Sequence, residues 1–285
     1  MAIQETAETK QFTYEAFAAH PFYTEINRSL VQQALAHLQD KRSNAQMTIV
    51  DMACGTGAVT RLIAEELAHQ GRTAHLIGVD PEAEALVHAR ENMKTLGIEA
   101  EFIQGESEDL PRLVSNADAA FFCNAIHLVP DKLVAFQQVA RILAPGGIFA
   151  CNSAFYEGTY VEGTERFYHS WMRHAMRWLR KEHPEVRLSR DAKAMAMQWL
   201  TPEGYMERLK QSGFGSVETS YTDAIISLDA WKDLGQYWLF VEGALPGAPV
   251  ALGASALKAS VYQTGHELGL SAVPRTWLQI VATKQ

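Results

Sequence analysis

Three cysteines among 285 residues leave little room for cysteine chemistry. Cys54, Cys123 and Cys151 are odd in number, far apart, and show no CxxC or Cys/His ligand spacing. Neither a disulfide framework nor a zinc site is supported. Each thiol ends or closely follows an apolar run, which predicts a buried, unreactive group. No run of about 18 apolar residues occurs, and the N-terminal MAIQETAETKQ has no apolar core, which argues against a membrane span and a signal peptide. A soluble, cytoplasmic protein is expected. Basic residues are in deficit, 25 against 33 acidic ones, and the formal charge of −8 argues against broad phosphate-backbone binding. Internal repeats and low-complexity tracts are missing. What the chain does have is core material, with 47% hydrophobic residues against 20% charged.

The first 46 residues read as a helical cap, with Tyr23, Ile26, Leu30, Ala34, Leu35 and Leu38 on one apolar face. A polar break follows at 40–44. From Met47 short β-like runs alternate with helical ones. Strands are predicted at 48–50, 74–79, 100–103, 117–123 and 147–152, with helices at 59–69, 81–96 and 131–142 between them. Ala144-Pro145-Gly146-Gly147 reads as a turn before the fifth strand. The alternation predicts a mostly parallel sheet with helices on both faces, and such sheets bind ligands at the carboxyl ends of their strands. Residues 155–200 read as a mostly helical insertion. Thr201 and Pro202 mark a new helix start, and strands six and seven are predicted at 217–222 and 276–282. A second insertion spans about 228–270. The domain plan is therefore 1–46, a core at 47–154, an insertion at 155–200, and the rest of the core at 201–285.

Ile49 to Gly57 runs an apolar strand into a turn of small residues and then a helix. Gly55 and Gly57 permit backbone angles closed to other residues and let a ligand approach the main chain. The dinucleotide pattern GxGxxG fails, because Thr60 stands at its third glycine. Asp51, at the end of the first strand, would repel a pyrophosphate and suits a positive ammonium group. Asp80, with Pro81 after it, ends the second strand. A carboxylate there suits paired ribose hydroxyls, although a helix cap is the alternative.

On these residues the chain resembles the class I, Rossmann-like S-adenosylmethionine-dependent methyltransferases. Asp51-Met52-Ala53-Cys54-Gly55-Thr56-Gly57 resembles the family's D-x-G-x-G-x-G loop with Ala53 at the first glycine. Gly78-Val79-Asp80 is similar to its ribose-binding strand end. Gly105-Glu106-Ser107-Glu108-Asp109-Leu110-Pro111 resembles its adenine-wrapping G-D-A-x-D-L-P segment, and Leu143 to Gly147 its L-x-P-G-G turn. The resemblance implies a seven-stranded α/β sheet with its last strand antiparallel, helices on both faces and helical lid insertions. It implies S-adenosylmethionine as cofactor, with Glu106 taking the adenine amine beside Gly105 and Ser107. Asn124 and Ala125 would border the methionine part. Tyr14, in the segment Tyr14 to Ala18, is similar to a tyrosine that closes over the cofactor. The N/D-P-P-F/Y motif of nucleic-acid methylases is missing, so a small-molecule acceptor is expected rather than DNA or RNA.

The sulfonium methyl is already activated, so alignment and removal of the acceptor's proton are what remain. His127 is the candidate base, and a hydrogen-bonded structural histidine is its plain alternative. In the first insertion Phe167, Trp171, His174 and Trp178 form one helical stripe. Arg166, Arg173, Arg177 and Arg180 form another, about 120° round. The first stripe is either core or a roof over an apolar or aromatic substrate, with Tyr156 and Tyr160 adding aromatic surface. No metal-binding carboxylate cluster is evident. A nicotinamide-dependent oxidoreductase and a non-catalytic S-adenosylmethionine-binding subunit are the competing readings.

Overall fold

A computed structural model of the chain describes residues 11–38, 47–189 and 199–285. The polar break at 40–44 lies outside them, as does nearly all of the polar N-terminus. The chain divides into two compact units.

The larger unit comprises Thr24–Glu157, Leu200–Thr222 and Trp277–Gln285. The sheet is built from β1 (Met47–Met52), β2 (Ala74–Asp80), β3 (Glu101–Gln104), β4 (Ala117–Cys123), β5 (Leu143–Ser153), β6 (Phe214–Ser227) and β7 (Ala272–Lys284), of which this unit holds β6 up to Thr222 and β7 from Trp277. The order is β3-β2-β1-β4-β5-β7-β6. Strands β1 to β5 pair in parallel, and β7 runs antiparallel to β5. The order reverses between β1 and β4, which sets a crevice at their carboxyl ends. This is the expected seven-stranded fold.

Helices cover both faces because each is apolar on one side only. On one face lie α2 (Pro21–His37) and α3 (Ala58–His69), whose Leu30, Leu35, Leu62 and Ile63 pack on Ile49, Phe121 and Ala150. The predicted stripe on α2 is buried throughout, from Tyr23 to Leu38. On the other face α6 (Lys132–Ile142) and α8 (Pro202–Gln211) bring Phe136, Val139 and Tyr205 against Val50, Phe149 and Leu278. Asp131 caps α6 by accepting from the Val134 N–H at 3.1 Å, and Thr201 caps α8 by accepting from Gly204 at 3.0 Å. Helix α4 (Ala83–Leu96) joins β2 to β3, and the short α5 (Leu110–Leu113) lies between β3 and β4.

The smaller unit comprises Met1–Tyr23, Gly158–Trp199 and Asp223–Thr276. It is mainly helical, with α1 (Glu15–Ala18), α7 (Glu165–Glu182), α9 (Leu228–Leu234), α10 (Trp238–Ala244) and α11 (Val250–Leu268).

Three expectations need correction. The segment 144–147 is not a free turn: it lies inside β5, where the register shifts between the Ala117 and Ala119 pairings and Gly146 takes a φ of 71°. The extra residues are absorbed as an irregularity in the strand. Residues 155–164 and 183–189 are irregular rather than helical, so the only described helix of that insertion is α7. Strands β6 and β7 run well beyond their predicted bounds.

Candidate active site

Asp51 and Asp80 come from the ends of neighbouring strands, with Asp51 paired to Gly78 across the ladder. Asp51 is 2% exposed, and the Thr60 hydroxyl donates to its Oδ2 at 2.6 Å. Thr60, the residue that broke the dinucleotide pattern, therefore has a positive role. Burial pushes the Asp51 carboxyl up to about 7, against the Thr60 hydrogen bond and with the help of the Asp80 charge. Asp80 is equally buried; its Oδ2 accepts from the Gly55 N–H at 2.8 Å and its Oδ1 from Glu82 at 2.9 Å. It thus ties the glycine loop to Glu82, the residue that precedes α4. The Gly105 N–H donates to the Asp80 carbonyl at 3.1 Å, and Gln104 Nε2 to the Pro81 carbonyl at 2.9 Å, which ties the 105–107 segment to the same strand end.

Between β1 and α3 the chain takes left-handed angles at Ala53 (φ 50°), Gly55 (53°) and Gly57 (86°). A Cβ built on Gly55 would meet nothing within 4 Å, so the loop leaves open space beside its backbone. Glu106 is exposed, its N–H donating to Asp109 Oδ2 at 3.2 Å, and Ser107 begins a short 3-10 turn.

Asn124 follows β4 at φ 56°, a conformation asparagine tolerates better than most residues. Its setting was not foreseen. Asn27 Oδ1 accepts from Asn124 Nδ2 and from Asn152 Nδ2, both at 2.9 Å. Asn152 Oδ1 accepts from the Asn124 N–H at 2.9 Å, and Trp277 Nε1 donates to Asn124 Oδ1 at 2.9 Å. Residues from α2, β5 and β7 thus fix one residue at the switch point.

His127 sits in a 3-10 turn, Ile126–Leu128, and is 5% exposed. Its Nδ1 lies 3.1 Å from Ser153 Oγ, and its ring is 4.5 Å from that of Phe155. The buried Lys132 donates to the His127 and Val129 carbonyls, and burial draws its ammonium down to about 8. All three thiols are buried and raised by burial, as expected.

A family model described as a methyltransferase domain matches residues 43–200, more than half of the chain. The chain belongs to that family. The cofactor is S-adenosylmethionine, and the residues present fit it. A carboxyl that burial pushes up to about 7 suits an ammonium, and the open glycine loop leaves its backbone accessible. The nicotinamide alternative falls with this match. Among curated relatives, the fatty-acid O-methyltransferase of Mycolicibacterium smegmatis is 32% identical over 135 residues, 46% of this chain and 45% of that one. The ubiquinone/menaquinone biosynthesis C-methyltransferase of Sinorhizobium fredii is 29% identical over 195 residues, 65% and 71% of the two chains. The chain spans about half the length of the first curated relatives it matches. Among solved structures, the YcgJ protein of Bacillus subtilis superposes with a TM-score of 0.57 at 15% identity, covering 92% of this chain and 99% of that one. Phosphoethanolamine N-methyltransferase 2 of Haemonchus contortus, in complex with S-adenosyl-L-methionine, gives 0.55 at 14% identity, over 98% and 57%. At such identities these two show the fold.

The other predicted residues of this methyltransferase are distributed as follows. Tyr156 is buried in the core of the sheet unit, 6.5 Å from the Tyr221 ring. Tyr14, Tyr160, Phe167, Trp171 and His174 belong to the helical unit. Tyr14 is half-buried and packs on Phe17, Tyr23 and Tyr237. Phe167 and Trp171 are fully buried, against Trp231 and, for Trp171, Phe240. His174 is buried between Thr264, at 2.9 Å, and Glu267, at 2.9 Å. Tyr160 is 37% exposed. Arg166, Arg173, Arg177 and Arg180 form the solvated face of α7.

Proposed function

We propose that this methyltransferase transfers the methyl of S-adenosylmethionine to oxygen, nitrogen or activated carbon of a small apolar or aromatic metabolite in the cytoplasm, by in-line displacement. The observation that carries the reading is Asp51, a carboxylate buried at the head of an open glycine loop beside a second carboxylate. When bound, the cofactor supplies a sulfonium-activated methyl group. In this reading Asp51 takes its ammonium, Asp80 with Pro81 its ribose, and Gly105, Glu106 and Ser107 its adenine. Ala53, Gly55 and Gly57 cradle it, and Asn124 and Ala125 border its methionine part, with Asn27, Asn152 and Trp277 as positioning residues. His127, its ring fixed by Ser153 and Phe155, takes the acceptor's proton.

The helical insertions hold the acceptor. Tyr160 faces it, and Phe167, Trp171 and His174 support that wall from behind. Relatives named for fatty-acid and quinone substrates support an apolar acceptor. Among the described residues no helix is long and apolar enough to cross a membrane. The test is incubation with methyl-labelled S-adenosylmethionine and a panel of apolar acids, phenols and quinols. Label should pass to at least one compound, and His127→Asn should lower turnover without weakening cofactor binding. Cofactor binding with no transfer to any of the panel would favour a non-catalytic subunit instead.

A further inference from the structure

The inner face of α7 is locked into the helical unit. Phe167 and Trp171 are buried, the Trp171 indole donates to the Leu257 carbonyl at 2.9 Å, and His174 lies 2.9 Å from both Thr264 and Glu267. The outer face is of another kind. Arg166, His169, Arg173, Arg177 and Arg180 are all exposed. On an α-helix these positions fall within an arc of about 80° that runs about 21 Å along the axis. None of the four guanidinium groups has a partner among the described residues, whereas the neighbouring Lys181 pairs with Glu182 at 2.8 Å. Every other described arginine is engaged, by carboxylates as at Arg28 and Arg61, by carbonyls as at Arg90 and Arg208, or by aromatic rings at Arg275.

Helix formation does not call for this stripe. Arg173 and Arg177 stand four apart and Arg177 and Arg180 three apart, spacings at which like charges destabilise a helix. The chain as a whole is acidic, with a formal charge of −8, so a row of unneutralised guanidinium groups is a local exception. A straight row of cations on a firmly anchored helix complements a flat anionic surface. The half-buried Met172 and Met176 border the arc and offer apolar contact where headgroups meet hydrocarbon. A nucleic acid is matched less well, because the rings that would stack on bases face inward, Phe167 and Trp171 being fully buried. A cytoplasmic leaflet carries anionic lipid, and each Lys or Arg near it contributes about fivefold in affinity.

We propose that the arginine face of α7 docks the protein on an anionic phospholipid surface, with the helix lying flat and nothing inserted. The proposal goes beyond the methyl-transfer reading and does not depend on it; an apolar acceptor would concentrate in the same surface. The test is co-sedimentation of the full chain with phosphatidylcholine vesicles containing about 30% phosphatidylglycerol, against phosphatidylcholine alone, at about 0.1 M and about 0.5 M salt. Binding should be confined to the anionic vesicles and fall by roughly tenfold or more at the higher salt. Arg173→Gln with Arg177→Gln should weaken it by roughly 25-fold, two cations being lost. Arg173→Lys with Arg177→Lys keeps the charge and should keep most of the affinity. Arg141→Gln with Lys210→Gln makes the same change in net charge at exposed positions of α6 and α8, and should alter binding by less than about twofold. Tm should match the wild type in every variant, which reports that they fold. No binding to the anionic vesicles, equal binding to both kinds, or undiminished binding by the Arg173→Gln, Arg177→Gln variant would overturn the proposal. So would capture by duplex DNA in place of the vesicles, which would make the stripe a nucleic-acid contact.

Discussion

Acidification from pH 7.5 to 5.5 should weaken S-adenosylmethionine binding by roughly 25-fold through a single group, Asp51. In the free protein burial pushes this carboxyl up to about 7, against hydrogen bonds from the Thr60 hydroxyl and backbone that favour its ionised form. An ammonium bound beside it requires the carboxylate. Below its free-state value each pH unit therefore costs the cofactor a factor approaching ten in affinity, about 1.4 kcal/mol. Folding responds with the opposite sign. The folded carboxyl keeps its proton to higher pH than in the unfolded chain, so this group favours folding below about 4, and that contribution is lost as pH rises towards about 7. The unliganded protein should thus gain from mild acid at this position while the cofactor complex loses. Calorimetry across the range, in two buffers of different ionisation enthalpy, reads both the affinity and the proton released on binding. Asp51→Asn should bind weakly and lose this slope, and whatever dependence it retains belongs to the ligand's own amine. A wild-type slope no steeper than that of Asp51→Asn would refute the reasoning.

Ala53 stands left-handed where an L side chain costs about 1–2 kcal/mol, and glycine returns up to about 1 kcal/mol of that as freedom in the unfolded chain. Ala53→Gly should therefore raise Tm by about 1–3 °C, and a fall of several degrees would contradict it. Asn27→Leu strands two buried amide N–H donors and should cost about 2–4 kcal/mol in urea unfolding, whereas Asn27→Asp keeps both acceptor bonds and should lose much less. A Leu variant within about 0.5 kcal/mol of wild type would show that the network carries no stability. His127→Asn should reduce turnover by about 100-fold with an unchanged cofactor Kd, and undiminished turnover would leave His127 a structural residue.

Much of the sheet unit was legible because its strands are buried on both faces and appear as short apolar runs, such as Ile49-Val50 and Ala119 to Phe122. The ligand residues at their ends were legible for the same reason: Asp51 and Asp80 break those runs with charge. Strand β6 was seen only at 217–222 because it ends the sheet order and carries Glu218, Thr219 and Thr222 among few buried positions. The start of β7 was hidden by Pro274 and Arg275, residues that argue against a strand when read locally. Most distant from sequence reasoning is the asparagine network, whose partners lie 97 and 125 residues apart. Nothing local marks Asn27, which reads as one polar residue on an amphipathic helix. The one available signal was Asn124, a residue type that tolerates left-handed angles placed directly after a strand. The aromatic stripe on α7 was visible as a periodicity, but its fate as core was decided by Trp231 and Phe240 from a later insertion.

The central claim is that the loop and two carboxylates of the sheet unit bind S-adenosylmethionine, and calorimetric titration tests it most directly. Purified protein and an Asp80→Ala variant would each be titrated with S-adenosylmethionine, S-adenosylhomocysteine and NAD. The account predicts micromolar binding of the first two to the wild type, weakened at least tenfold in the variant, with no heat from NAD. Binding of NAD alone, or of none of the three, would contradict it.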